Sequence, residues 1–196
     1  MKIFTFCGNC KHLGELDFDY VVVDQTYNDI LPEQIEKYKD KIIWNETNSW
    51  DRQIRIAKNV LKALEVAKGL GDETIAIIDS DIIIPRLRNI VISETTLTLC
   101  YPLLYLWANE IRPFCSGTNY IIPKRKIFAV EHELQYFVEH RDKIEEKVDI
   151  FVHDHIMHVN AFIPPVSHYI YGEKVTYTEN DIIQIRKHIP ELTLVF

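Results

Sequence analysis

Thr74-Ile75-Ala76-Ile77-Ile78 is an almost unbroken apolar run that stops at Asp79-Ser80-Asp81. A half-buried strand alternates apolar with polar residues. A strand without a polar face is buried on both sides, the condition of a central strand whose parallel neighbours are covered by helices. The chain before it alternates accordingly. Lys2 to Phe6 reads as a strand, and Tyr20-Val21-Val22-Val23 as a second one closed by Asp24. Pro32 opens a short helix through Tyr38, and Ile42-Ile43-Trp44 is a third strand. Ser49 is the expected N-cap of a long helix whose stripe Ile54, Ala57, Leu61, Leu64 and Ala67 runs until Gly69 and Gly71. This order predicts an α/β domain with a mixed, centrally parallel sheet flanked by helices.

At 196 residues the chain is the length of one domain. Its 22 basic and 29 acidic residues leave a net charge of -7, which repels nucleic acid and anionic lipid over long range. No apolar run approaches the roughly 18 to 20 residues of a spanning helix, and the first residues lack a secretory signal, so a soluble, cytoplasmic protein is expected. The cysteines are Cys7, Cys10, Cys100 and Cys115. Cys7 and Cys10, with His12 nearby, have the spacing of a redox pair or half a zinc site, but no second pair follows. Ordinary buried thiols or a structural disulfide are the expectation.

In an open α/β sheet, ligands bind outside the carboxyl ends of the strands, where Asp79 and Asp81 sit. The two-residue period of a strand points both carboxylates to one side and Ser80 to the other. A hard divalent ion, Mg2+ or Mn2+, would relieve their repulsion and bridge to a diphosphate. The plainer alternative is a solvated turn.

At these residues the sequence resembles the GT-A fold glycosyltransferases, whose hallmark is a metal-binding Asp-x-Asp at the end of a central strand. Val21-Val22-Val23-Asp24, followed by Gln25-Thr26-Tyr27-Asn28-Asp29, looks like the family's second strand. The resemblance implies that Asp24 contacts the nucleotide, while Ala57-Lys58-Asn59 puts Lys58 in the place of a family arginine. Trp50, Arg52 and Arg55 lie near it, and one cation there could reach the diphosphate. Ser116 to Pro123 is similar to the family's acceptor-side strand, ending at the basic turn Lys124-Arg125-Lys126. Asp154, in Phe151-Val152-His153-Asp154, takes the place of the family's general base, with His153 where a glutamate is usual; Asp149 competes for that role. His168, in Phe162 to Tyr169, falls where many members place a third metal ligand after Asp79 and Asp81.

The resemblance therefore implies a single GT-A (Rossmann-like) domain, with residues 1–84 binding a nucleotide-sugar and 85–196 serving the acceptor. The implied reaction is transfer from a nucleoside-diphosphate-sugar to a hydroxyl of a sugar, glycan or glycoprotein, with Mn2+ or Mg2+ and with inversion. The chain looks like compact members from microbial and archaeal-virus genomes, which would place it in a host cytoplasm. Elsewhere, Leu97 to Ala108 reads as core, an acceptor pocket wall or a peripheral membrane contact. Glu131 to Lys147 reads as a helix, and Thr178 to His188 as a capped helix ended by Pro190. The oligomeric state stays open.

Other classes fit less well. A haloacid dehalogenase-like phosphohydrolase opens its chain with Asp-x-Asp followed by Gly and Thr, whereas here three elements precede it and Ile82-Ile83-Ile84-Pro85 follows. An HD-domain phosphohydrolase is wholly helical. A nucleotidyltransferase of the GT-A fold needs a glycine-rich first loop, which Cys7-Gly8-Asn9-Cys10-Lys11 echoes only in part. A binding module that keeps the fold without turnover would tolerate the His153 replacement.

Overall fold

The computed structural model describes residues 1–7, 10–71, 74–92, 94–105, 110–156, 158–187 and 190–195, with 101–105 and 110–117 described by their backbone. The opening alternation forms as its sequence dictates: β1 (Lys2–Cys7), β2 (Tyr20–Asp24), α1 (Pro32–Tyr38), β3 (Ile42–Asn45), α2 (Arg52–Leu70) and β4 (Thr74–Asp79). Next come β5 (Ile82–Ile83), β6 (Thr96–Tyr105), β7 (Glu110–Pro123), α3 (Ile127–Glu139) and α4 (Val148–His155). The chain ends in β8 (His158–Phe162), β9 (Val166–Ile170), β10 (Glu173–Tyr177), α5 (Ile182–Arg186) and β11 (Thr193–Leu194).

Eight strands make one sheet in the order β11-β8-β6-β7-β4-β1-β2-β3, and β10-β9-β5 make a smaller one. β3, β2, β1 and β4 are mutually parallel. β7 runs antiparallel to both β4 and β6, and β6, β8 and β11 are again parallel. The fold is thus α/β, with a mixed, mostly parallel sheet flanked by helices.

The two-sided burial expected of β4 is realised residue by residue. Ala76 and Ile78, with Ile3, Val21 and Val23, join the core on one face. Ile75 and Ile77, with Phe4 and Val22, meet Ala57, Val60 and Leu64 of α2, Val130 and Leu134 of α3, and Val152 of α4 on the other. Each of these side chains is at most 4% exposed, the condition under which burial contributes roughly 1.5 to 3 kcal/mol per large aliphatic group.

Two expectations change, and a third is met in part. Asp51, not Ser49, caps α2: it has extended backbone and accepts the Gln53 N–H at 2.7 Å. Ser49 instead accepts the Asp51 N–H through its hydroxyl at 3.2 Å. At the other end Gly71 adopts φ 72°, which glycine takes without the cost a Cβ would bring. The predicted helix over 131–147 begins earlier, because Ile127 and Val130 extend the buried stripe of Leu134 and Phe137. It stops at Glu139, and the Arg141 guanidinium then binds the carbonyls of Ile144 and Glu146, holding that segment off the helical ladder. Finally, Leu97, Leu99 and Cys100 of β6 are core; Leu106, Trp107 and Ala108 lie outside the described residues.

Candidate metal and nucleotide site

β1 and β4 pair in parallel, with Phe6 opposite Asp79, so the exits of both strands lie side by side at the carboxyl edge. Asp79 is gripped from β7. Its carboxylate accepts Thr118 Oγ1 at 2.8 and 2.9 Å and Asn119 Nδ2 at 2.8 Å. Asn119 Oδ1 in turn accepts the Asp79 N–H at 2.8 Å. The amide of Asn119 is fully buried and makes a closed two-bond clamp with a single residue. Such a clamp fixes where the carboxylate points before any ligand arrives.

Asp81 lies two residues on. Its side chain is 39% exposed, and its Oδ2 lies 3.5 Å from His168 Nε2, itself only 12% exposed. A β-ladder makes this contact. β5 pairs antiparallel with β9, placing Ile82 opposite His168, and the Asp81 carbonyl accepts the Tyr169 N–H at 2.9 Å. β9 is anchored in turn at the 3-10 turn Cys10–Glu15. The His12 ring stacks on Tyr169 at 3.5 Å, the Tyr169 hydroxyl donates to Glu15, and Lys174 Nζ lies 2.9 Å from Glu15 Oε2.

Asp79, Asp81 and His168 do not form a closed cage: their ligand atoms do not all lie within 4.8 Å of one another. The donor set of Asp81 and His168 fits an open divalent-ion site, which these two side chains would hold. Mg2+ and Mn2+ sites at diphosphates are built this way, and the imidazole tilts preference toward Mn2+.

The residues expected on the nucleotide side, Asp24 and Lys58, lie at the end of β2 and on α2. Asp24 is only 1% exposed, and both its oxygens are engaged. One accepts the N–H groups of Thr26 and Tyr27 at 2.9 and 3.2 Å, and the other accepts the Thr47 hydroxyl. Its carboxylate therefore organises the loop after β2. Lys58 is engaged in a similar way. Its Nζ donates to the Thr47 carbonyl at 2.6 Å, tying α2 to the β3 exit instead of pointing free. Groups that do face solvent stand beside them. Trp50 is 89% exposed and meets the Tyr27 ring edge-on at 5.7 Å, while the Arg55 guanidinium covers Tyr27 at 4.0 Å.

The two carboxylates of α4 separate by position. Val148 N–H donates to Gln53 Oε1 at 2.8 Å, and Arg141 pairs with Asp51 at 2.8 Å, so the first turn of α4 lies beside the first turn of α2 at the carboxyl edge. Asp149 is in that turn. Its charge, with that of Asp79, adds to burial in pushing the Tyr120 phenol well above its ordinary value. Asp154 is exposed and lies about 7.5 Å further along the helix, away from that edge. Its neighbour His153 is held below the ordinary histidine value by burial first and by His158 next, against the opposite pull of Asp154 and Asp149. Sequence spacing favours Asp154; the direction of α4, which no local signal carries, favours Asp149. Gln53 and Arg141, which set that direction, stand in no motif of the sequence.

Cys7 and Cys10 are joined by a disulfide, and Cys100 is also disulfide-bonded, in strand register with Cys115. None of the described helices is long and apolar enough to cross a membrane.

No family model matches the chain. Among solved structures, it is similar to a 4-diphosphocytidyl-2C-methyl-D-erythritol synthase at TM-score 0.47 and 10% identity, covering 95% of this chain and 97% of that one. It is similar to the CTP:phosphocholine cytidylyltransferase of Streptococcus pneumoniae at TM-score 0.45 and 10% identity, covering 96% and 98%. For A197 from STIV the values are 0.42 and 14%, over 92% and 91%. Likeness at these scores carries no argument about activity. Sequence similarity is far stronger to the uncharacterized protein 209 of Sulfolobus islandicus rod-shaped virus 1, 52% identical over 199 residues that span 100% of this chain and 95% of that protein. By that identity along its whole length, the chain belongs to the family of protein 209.

Proposed function

We propose that the protein is a metal-dependent glycosyltransferase that moves a sugar from a nucleoside-diphosphate donor to an acceptor hydroxyl. The observation that carries this reading is the Asp81–His168 pair at the carboxyl edge, 3.5 Å apart and next to the clamped Asp79. Asp81 and His168 would hold Mn2+ or Mg2+, which would supply charge neutralisation to a departing diphosphate. Asp79 keeps a fixed negative charge beside it. Trp50, Tyr27 and Arg55 form the face against which the nucleotide base stacks, a contact every base can make through its π-face. Asp24 and Lys58 hold the loops that present that face. Residues 1–84 thus serve the donor, while 85–196 contribute the acceptor side and His168.

Asp149, not Asp154, takes the proton of the acceptor hydroxyl in this proposal, because it stands at the edge where the donor binds. A carboxylate that deprotonates a nucleophile on the face opposite the leaving group gives inversion. The acceptor is a sugar, glycan or glycoprotein.

Thermal melting with UDP-, GDP-, CDP- and dTDP-sugars, each with Mn2+ or EDTA, tests the donor site. A donor at a hundred times its dissociation constant adds about 2.7 kcal/mol. One nucleotide should raise Tm only with metal, and Asp81→Asn should abolish that rise; an equal rise in the variant removes Asp81 from the metal site. Pyrophosphate release from a nucleoside triphosphate and a sugar phosphate would instead move the protein to the nucleotidyltransferases.

A further inference from the structure

We propose that Cys7, Cys10 and Asp29 are a redox-gated zinc site: the reduced chain binds one Zn2+ through these three side chains, and oxidation to the disulfide closes the site. Among the described residues they are the group of three His, Cys, Asp or Glu side chains whose ligand atoms all lie within 4.8 Å of one another. The parts come from two strand exits. Cys7 ends β1 in register with Val23 of β2, and Cys10 opens the following 3-10 turn. Asp29 arrives from the loop beyond β2. Its Oδ1 accepts the Cys10 N–H at 2.5 Å, which holds the carboxylate against the cysteine loop, and Gln34 Nε2 donates to the Cys10 carbonyl at 2.8 Å.

The chemistry selects the ion. Two cysteines three apart are half of the usual zinc grip, and thiolates prefer Zn2+ to the hard ions suited to Asp81. Cys7 and Cys10 are 2% and 0% exposed, while Asp29 is exposed, so the pocket is dry on the sulfur side and open on the carboxylate side. Two buried thiols beside a carboxylate stay protonated until a cation displaces their protons or the sulfurs bond to each other. The fourth position falls to water. His12 does not supply it, since it is not among the side chains whose ligand atoms all lie within 4.8 Å of one another here. Reduction by a phosphine balances as follows: the phosphine takes an oxygen atom from water, and the two sulfurs gain two electrons and two protons. Zinc binding then releases the two thiol protons. The disulfide ties Cys7 to the turn that follows β1, whereas the metal would also tie both sulfurs to Asp29 beyond β2.

Protein reduced anaerobically with a phosphine, then titrated with Co2+ and afterwards Zn2+, tests this. One Co2+ per chain should produce a thiolate-to-cobalt charge-transfer band that Zn2+ removes, and the oxidised protein should give none. Cys10→Ser should lose the band. Asp29→Asn, at an exposed position that leaves the sulfurs alone, should weaken cobalt binding at least tenfold. Asp81→Asn should leave the band unchanged, which separates this site from the proposed donor site. No band in the reduced protein, a band retained in Cys10→Ser, or unchanged affinity in Asp29→Asn overturns the proposal.

Discussion

Asn119 spends both ends of its side-chain amide on Asp79, accepting the backbone N–H and donating to the carboxylate. Leucine there fills the space but answers neither group. Leaving a buried polar group unpaired costs about 1 to 3 kcal/mol, so Asn119→Leu should lower stability by that amount in urea titration and weaken donor binding, whereas a surface substitution would do neither. His153 offers a second test at this scale. Its Nδ1 is buried without a hydrogen-bond partner, and its folded pKa lies below the ordinary value of about 6.5. The unfolded chain therefore takes up the proton first, and the stability contributed by the neutral ring is present above pH 6.5 and lost as pH falls through the folded value. His153→Gln should flatten the fall in stability between pH 7.5 and 5.5, and an equally steep fall in that variant would assign it to other groups.

At the scale of elements, the direction of α4 is what makes Asp149 rather than Asp154 the base in the proposed transfer. Asp149→Asn should leave metal-dependent donor binding intact and cut transfer by 10²- to 10⁴-fold, the usual contribution of a general base. Asp154→Asn should keep most activity; the reverse result would return the role to Asp154. The elements also show what could be read in advance. β1, β2, β3, α2 and β4 were legible because their periodicity and their breakers, Pro32, Gly69 and Gly71, act within a few residues. α3 was legible as a helix but not in its bounds: its stripe runs into Ile127, and its end depends on Arg141 reaching carbonyls that a sequence pattern does not reveal. The Asp24 and Lys58 side chains turned inward for a similar reason, since Thr47 comes from another strand exit.

Across the whole molecule, Arg141 and Asp51 tie the second half of the chain to the first at 2.8 Å. The Arg141 hydrogen bond, foremost among the causes, holds the Asp51 carboxyl below its ordinary value, so the pair's stabilisation is present above about pH 3.8 and lost as pH falls through the folded value. Because Asp51 is about a third exposed, the pair should contribute about 0.2 to 1 kcal/mol. Asp51→Asn, which keeps an oxygen to cap α2, should be less stable than the parent by that amount at pH 7 and equal to it once the parent carboxylate is protonated. Melting of both proteins across that range checks it. The order and spacing of Asp79, Asp81 and His168 could be seen in the sequence, whereas the pairing of β5 with β9 that sets the last two side by side could not. That pairing bears on biosynthesis: a ribosome that has released β4 and β5 has made both aspartates but no imidazole. Because a slip of one residue in β9 would turn His168 to the opposite face of its sheet, the nascent chain acquires a complete Asp81–His168 pair only when its final third docks in register.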